Sequence, residues 1–243
     1  MAHYLIFGGS GGIGAALARK LASGGHTLHL TGRDHARLKA IAFETGAKYT
    51  AGDVLEEGFI ARAVAESGPV IDGLAYAVGT INLKPVARLT SADFQNDFAV
   101  NALGAAQAIQ AALPALKAST GTASVLLFSS IAVAQGFASH ASISMAKGAI
   151  EGLTRALSAE LAPKIRVNAI APSLTETPLA KAITGNAAIA QGVAALHAIP
   201  RLGEPDDIAA LGELMLTDKG GWITGQVMAV DGGFRRVYRW VGQ

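Results

Sequence analysis

The sequence predicts an α/β fold: a doubly wound parallel sheet of seven strands with helices on both faces. Three observations lead there. Short apolar runs alternate along the chain with longer segments of helical periodicity, at intervals that suit right-handed crossovers. The first apolar run, Tyr4–Phe7, enters a glycine-dense turn and then a helical pattern through Ala15, Leu17, Ala18 and Leu21. Finally, 243 residues that are 51% apolar and only 16% charged suit one large domain, 1–243, with a well-filled core.

The elements follow in order. Strands are expected at 4–7, Thr27–Thr31, Lys48–Thr50, Ile71–Ala77, Ser124–Phe128, Ile165–Ile170 and Gln226–Val230. Asp34 reads as the N-cap of a helix beginning near His35. Glu56–Ser67 reads as helical. A long helix over Ser91–Leu113 presents Phe94, Phe98, Ala102, Ala105 and Ile109 on one face, and a second over Ala141–Leu161 aligns Ala146, Ile150, Leu153, Leu157 and Leu161. The Ala-rich segment through Pro200 is partly helical, and Asp206–Leu216 is a further helix.

Several classes are excluded. There is no cysteine among the 243 residues, so disulfides, thiolate metal sites and cysteine nucleophiles are out. The six histidines are scattered without metal-ligand spacing, and no metal is expected. A net charge of +2 gives no argument for nucleic acid, and the basic residues Arg235, Arg236 and Arg239 fall in a tail, 234–243, that reads as solvated or as a subunit contact. No secretory leader or bilayer-spanning run is read, so a cytoplasmic protein without a membrane partner is expected.

The loop Gly8-Gly9-Ser10-Gly11-Gly12-Ile13-Gly14 carries the first functional signal. A strand, a tight turn and a helix start hold a pyrophosphate, because glycines admit the phosphate oxygens and the helix N-terminus offers free N–H groups. The gaps run opposite to those of G-x-G-x-x-G. At the end of the second strand stands Gly32-Arg33, with no acid to bond a free ribose 2′-hydroxyl. Arg33 either faces solvent or pairs with a 2′-phosphate, and the position favours NADP(H) over NAD(H).

Taken together, the motifs resemble the short-chain dehydrogenase/reductase family over nearly the whole chain. Gly8, Gly12 and Gly14 fall at its Rossmann-like cofactor loop, Asp53-Val54 at its adenine contact, and Tyr76-Ala77-Val78-Gly79 at its N-N-A-G stretch, of which only Gly79 is kept. Asn101 matches the helix asparagine, Ser130 the catalytic serine, Pro172-Ser173 the usual Pro-Gly, and Thr177 the threonine beside the nicotinamide. Arg201-Leu202-Gly203-Glu204-Pro205 and Ile223-Thr224-Gly225-Gln226 match C-terminal signatures. The resemblance implies an oxidoreductase on a carbonyl or alcohol, a substrate lid over about 173–200, and a homotetramer, with a dimer second. Small residues Ala105, Ala106, Ala149 and Ala156 on outward-looking helix faces fit such packing.

One departure bears on chemistry. The family's Tyr-x-x-x-Lys becomes Ile143-x-x-x-Lys147, and none of the four tyrosines lies on this helix. The phenol's proton is therefore missing. His140, Ser142, Ser144 or a water held by Ser130 and Lys147 could supply it; an imidazole is the best acid type among these, but His140 equally reads as a loop residue. Other readings are a reaction in which no alkoxide forms, a silent NADP(H)-binding sensor or partner subunit, and a Ser130–Lys147 hydrolase, which leaves the cofactor loop unexplained. The apolar lid suggests an apolar, medium-sized substrate.

Overall fold

The computed structural model describes residues 1–235 and 237; the basic residues Arg236 and Arg239, and Tyr238, lie outside the described residues. Seven strands form one parallel sheet: β1 His3–Phe7, β2 Thr27–Gly32, β3 Lys48–Ala51, β4 Gly73–Tyr76, β5 Ala123–Phe128, β6 Ile165–Pro172 and β7 Val227–Val230. Their order is β3-β2-β1-β4-β5-β6-β7, and every pairing is parallel. The chain reverses its direction of winding between β1 and β4, which leaves a crevice above their carboxyl ends.

Helices cover both faces, as the alternation of Leu5 and Phe7 with Tyr4 and Ile6 requires. Leu5, Phe7, Tyr76, Val125 and Leu127 pack with α3 (Phe59–Ser67), α5 (Gly104–Lys117) and α7 (Ala141–Leu161). Ile6, Leu30, Ala75, Leu126 and Ile170 pack with α1 (Gly12–Ser23), α2 (His35–Thr45) and α10 (Pro205–Leu216). Asp34 caps α2 by accepting from the Arg37 N–H at 3.0 Å. Helix α10 starts at Pro205, one residue early, with Asp207 bonded to the Glu204 N–H and to Arg201 at 2.6 Å. That ion pair gives the Arg201–Pro205 motif its structural reason. The Ile223–Gln226 motif fastens β7 to β6: Asn168 accepts from the Gln226 N–H and donates to the Ile223 carbonyl.

Boundaries differ where a backbone conformation overrides periodicity. Helix α3 begins at Phe59, not Glu56, because Gly58 turns the chain with φ of 75°. Strand β4 is shorter than its apolar run, and β7 begins one residue later than read. The long helix expected over 91–113 is three pieces: α4 (Ser91–Phe98), a π-helical turn (Ala99–Leu103) and α5, which continues through Pro114. The wide turn rotates the faces, so Phe98 is exposed and the buried position on α4 is Asp97. Ala105 likewise lies in the core rather than on an outward face. By length and mean hydropathy alone, 1.2, the run Ser91–Lys117 resembles a bilayer span, yet half of its most apolar stretch is buried against the sheet and its neighbours, as in a core helix.

The two short helices of 173–200 are α8 (Lys181–Thr184) and α9 (Ala187–Ala195); α6 (Ile131–Ala134) follows β5. The glycine loop packs backbone on backbone. A Cβ on Gly14 would stand 2.2 Å from the Gly8 carbonyl oxygen, which belongs to main chain and cannot swing aside. Gly14→Ala is therefore expected to cost about 1–3 kcal/mol, a fall in Tm of roughly 2–12 °C for a chain of this size. An unchanged melting curve would show that the loop is not packed as described.

Candidate functional site

The crevice holds a cavity of about 390 Å³ built from the segments that follow β4, β5 and β6. Gly79 and Thr80, then Ser130, then Pro172 and Ser173 line it; α7 adds Ile143 and Lys147, and Thr177 and Val193 come from the 173–200 segment. Ile13 reaches it from the start of α1.

The glycine loop has the form of an anion cradle. Gly8 adopts φ of 81°, and a Cβ there would stand 2.6 Å from the Ala77 carbonyl oxygen. Gly11 is the N-cap of α1 without any side-chain cap, and no acidic residue lies in the first turn. A Cβ on Gly12 would meet the Thr177 methyl at 2.6 Å, so loop and 173–200 segment close on each other without space for side chains. These features fit the pyrophosphate of a dinucleotide.

At the end of β2, Arg33 is 76% exposed and its guanidinium lies 3.3 Å from Asp53. Asp53 also accepts from the Leu55 N–H, and Val54 is buried beneath. An exposed pair of this kind contributes about 0–1 kcal/mol, so Arg33 can exchange it for a phosphate. The structure adds Arg37, which the sequence reading used only as a helix residue. Its guanidinium donates to the Ser10 carbonyl at 3.2 Å, bringing a second cation beside the loop.

Around the reaction centre, Ser130, Ile143, Lys147 and His140 share the cavity wall. Ser130 Oγ accepts from the Ala132 N–H at 3.2 Å, which leaves its hydrogen free. Lys147 Nζ donates to the Phe128 carbonyl at 2.9 Å. Burial pulls its pKa from 10.5 down to about 8, and the negative charge of Asp97 partly opposes this. Asp97 was not anticipated. Its carboxylate is fully buried and accepts from Thr80 Oγ and Ser142 Oγ, each at 2.6 Å. Asn101 donates to Thr80 Oγ and to the Asp97 carbonyl, both at 2.8 Å, and its own Oδ1 is buried without a partner beside Gly79.

These bonds sort the proton-donor candidates. Ser142 is committed to Asp97, and Ser144 donates to the Ala132 carbonyl at 3.1 Å, so neither hydroxyl is free. His140 is half-buried, with Nδ1 2.7 Å from the Ala138 carbonyl oxygen. Ile143 is buried, with its hydrocarbon in the wall. No described tyrosine stands in for it. Tyr76 donates to the Val100 carbonyl at 2.7 Å, and burial pushes its phenol pKa upward. Tyr4 is pushed up to about 12, and Tyr49 bonds His35.

One buried pair was also missed. His197 is 3% exposed; its Nε2 lies 2.8 Å from Ser173 Oγ and its Nδ1 2.9 Å from the Val193 carbonyl oxygen. The 24-residue separation hid it from any spacing argument. No cluster of metal-ligating residues occurs among the described residues.

Comparison with known proteins places this geometry. The family model described as enoyl-(acyl carrier protein) reductase matches residues 8–235. A tropinone reductase homolog of Arabidopsis thaliana is 30% identical over 240 residues, covering 95% of this chain and 90% of that protein. A short-chain type dehydrogenase/reductase from Mycobacterium ulcerans superposes with a TM-score of 0.89 at 28% identity, over 96% of this chain and 89% of that one. A gluconate 5-dehydrogenase from Burkholderia cenocepacia, in complex with NADP and tartrate, superposes with a TM-score of 0.90 at 25% identity, over 98% and 96%. With the sheet order, the glycine cradle and the Ser130–Lys147 wall, these matches make the chain a member of the short-chain dehydrogenase/reductase family of NAD(P)-dependent oxidoreductases.

Proposed function

We propose that the protein interconverts a medium-sized, largely apolar carbonyl compound and its alcohol using NADP(H), with proton delivery that does not involve a phenol. The observation that carries this reading is the shared wall of Ser130, Ile143 and Lys147 beside the glycine cradle. NADP(H), when bound, supplies or accepts the hydride. The loop Gly8, Ser10, Gly11, Gly12, Ile13 and Gly14 would hold its pyrophosphate, and Asp53 and Val54 the adenine. Gly79, Pro172 and Thr177 would flank the nicotinamide half, and Lys147 with Asn101 the ribose beside it. The solved NADP complex of a family relative supports the choice of dinucleotide. Arg33 and Arg37 support the phosphorylated form, since two guanidiniums can clamp a dianion.

The chain's own chemistry follows from its donors. The free hydrogen of Ser130 polarises the substrate oxygen. Lys147 holds a proton at a pKa near the working pH, because burial has weakened its ammonium. A water between Ser130 Oγ and Lys147 Nζ passes that proton to the substrate oxygen. His140, on the same wall, is the second candidate. Segment 173–200 acts as the lid, and its apolar residues set the preference for apolar substrates. A reaction on an α,β-unsaturated carbonyl is the second reading, favoured by the loss of the phenol and by the name of the matching family model.

Two experiments test the reading. First, affinities for NADPH and NADH are compared. NADPH binds more tightly, and Arg33→Asp reverses the order, while Arg37→Ala weakens NADPH alone; tighter NADH in the wild type would refute the assignment. Second, NADPH oxidation is followed from pH 6 to 10 with ketones, aldehydes and enones. Turnover is expected to fall as pH rises through about 8, where Lys147 loses its proton. Lys147→Met should lower it by roughly 10²–10⁴-fold, and His140→Phe by much less. A silent wild type beside an active Ile143→Tyr would leave the NADP(H)-binding sensor as the function.

We also propose a homotetramer, with a dimer as the alternative. Exposed Phe98, Leu103 and Met145 on α4, the π turn and α7 give the helices an apolar outer face. Sedimentation equilibrium checks this, and a monomer at micromolar concentration would reject it.

A further inference from the structure

The cavity wall also carries a polar pair that the reaction does not use. Ser173 lines the cavity, and behind it His197 is almost wholly buried. The imidazole edge packs on Phe234 at 5.1 Å between ring centroids, and Phe234 packs on Phe137 at 5.7 Å. Both phenylalanines line the same cavity. His197 is thus a fixed, backing residue with one ring nitrogen on each side spoken for.

The direction of these hydrogen bonds follows from their partners. The Val193 carbonyl oxygen can only accept, so Nδ1 carries a hydrogen. In the uncharged ring Nε2 is then bare and can only accept. The bond of 2.8 Å to Ser173 must therefore use the serine's own hydrogen. With that hydrogen turned away, Ser173 offers the cavity lone pairs only. Ser130 is the reverse case: its oxygen accepts from the Ala132 N–H and its hydrogen is free. The cavity lining thus offers donors at Ser130 and Lys147 and an acceptor at Ser173.

We propose that Ser173, oriented by His197, is a binding site for a hydroxyl group of the substrate, so that the preferred substrates are neutral hydroxy-carbonyl compounds. A group that sits on an acceptor in an apolar surround must donate. It must also be uncharged, because no acidic residue lines the cavity among the described residues and an ammonium would be stripped of water without a counter-charge. The carbonyl goes to the donors Ser130 and Lys147 and the hydroxyl to the acceptor Ser173. This subsite deepens the reductase reading, on which only the placement of the carbonyl rests. Ser173 is the group in contact with the ligand, and His197 is a positioning residue that removes its hydrogen from play.

Binding to the NADPH-saturated protein at pH 8 tests the subsite without requiring turnover. The probes are matched pairs: 4-hydroxycyclohexanone against 4-methoxycyclohexanone, and 4-(4-hydroxyphenyl)butan-2-one against its methyl ether. The methyl ethers keep an acceptor oxygen but lose the donor. At least one hydroxylated member is expected to bind roughly three- to tenfold more tightly than its ether, the range of one net hydrogen bond. Ser173→Ala should erase that preference by weakening the hydroxylated member alone, and Ser173→Thr should retain it. Nitrogen-15 NMR of the histidine rings should show His197 protonated on Nδ1. The proposal is overturned if neither pair shows a preference in the wild type, if no probe binds, if Ser173→Ala keeps the preference, or if His197 carries its hydrogen on Nε2 alone. A preference that is present and serine-dependent in a protein without turnover upholds the subsite and removes the reductase reading; turnover without preference does the opposite.

Discussion

The contact on which the rest depends is main chain against main chain: the Gly8 turn resting on the Ala77 carbonyl at the end of β4, and Gly14 resting in turn on Gly8. Strands β1 and β4 are parallel neighbours, paired from Tyr4 with Gly73 to Phe7 with Tyr76, yet they feed helices on opposite faces. Their carboxyl ends must separate there, and a crevice opens between them at the strand ends. A side chain at either glycine would wedge the turn away from β4. The N–H groups of α1 would then no longer point into the crevice, and the fold could survive while its cofactor site did not. Fold and function share this contact more closely than they share any catalytic side chain.

Much of this was legible in the sequence, for reasons that can be named. Buried parallel strands read as apolar runs because both faces are covered, and all seven are placed within two residues at each end. The N-cap role of Asp34 is local and was readable from a single residue type. Asn101, Ser130, Ile143 and Lys147 lie far apart in sequence, yet the motif order brought them to one place and the cavity does the same. What escaped depends on contacts that no periodicity carries. Asp97 stands at a position that an uninterrupted helix would give to Phe98 or its neighbours; only the π turn at 99–103 makes it the inward residue. Arg37 was invisible as a loop partner because its bond to Ser10 joins residues 27 apart in the chain. The Ser173–His197 pair joins the end of β6 to the segment after α9, and such a pairing exists only once residues 24 apart are packed together.

Asp97 also explains how a buried lysine survives beside Ile143. A phenol at that position would share a proton with Lys147 and ease its isolation. Without it, a lone ammonium in an apolar wall would be strongly driven to neutrality. The carboxylate of Asp97, itself satisfied by Thr80 and Ser142, restores part of the missing electrostatic support. Two hydroxyl donors stabilise the charged carboxylate, and its charge stabilises the ammonium. The outcome is a lysine whose pKa is lowered but kept within reach of neutral pH, which is the condition for an acid to be both present and willing to release its proton.

The same accounting supports the proposed reading over a site that merely holds a dinucleotide. Binding alone asks for a cation near the ribose and places no demand on that cation's proton affinity; an arginine would serve, and burial would be a needless cost. Here the cation is a lysine, lies in the wall of the substrate cavity, is desolvated, and is countered by a carboxylate with a dedicated hydrogen-bond shell. A purely structural reason would be a core in which Asp97 and Lys147 pair directly and close off the space, but Lys147 instead donates to the Phe128 carbonyl and still faces the cavity. A buried charge pair is expensive to maintain by comparison with apolar packing of the same volume, and Ile143 next to it shows that hydrocarbon fits this wall. The arrangement makes physical sense where the lysine's proton is put to use.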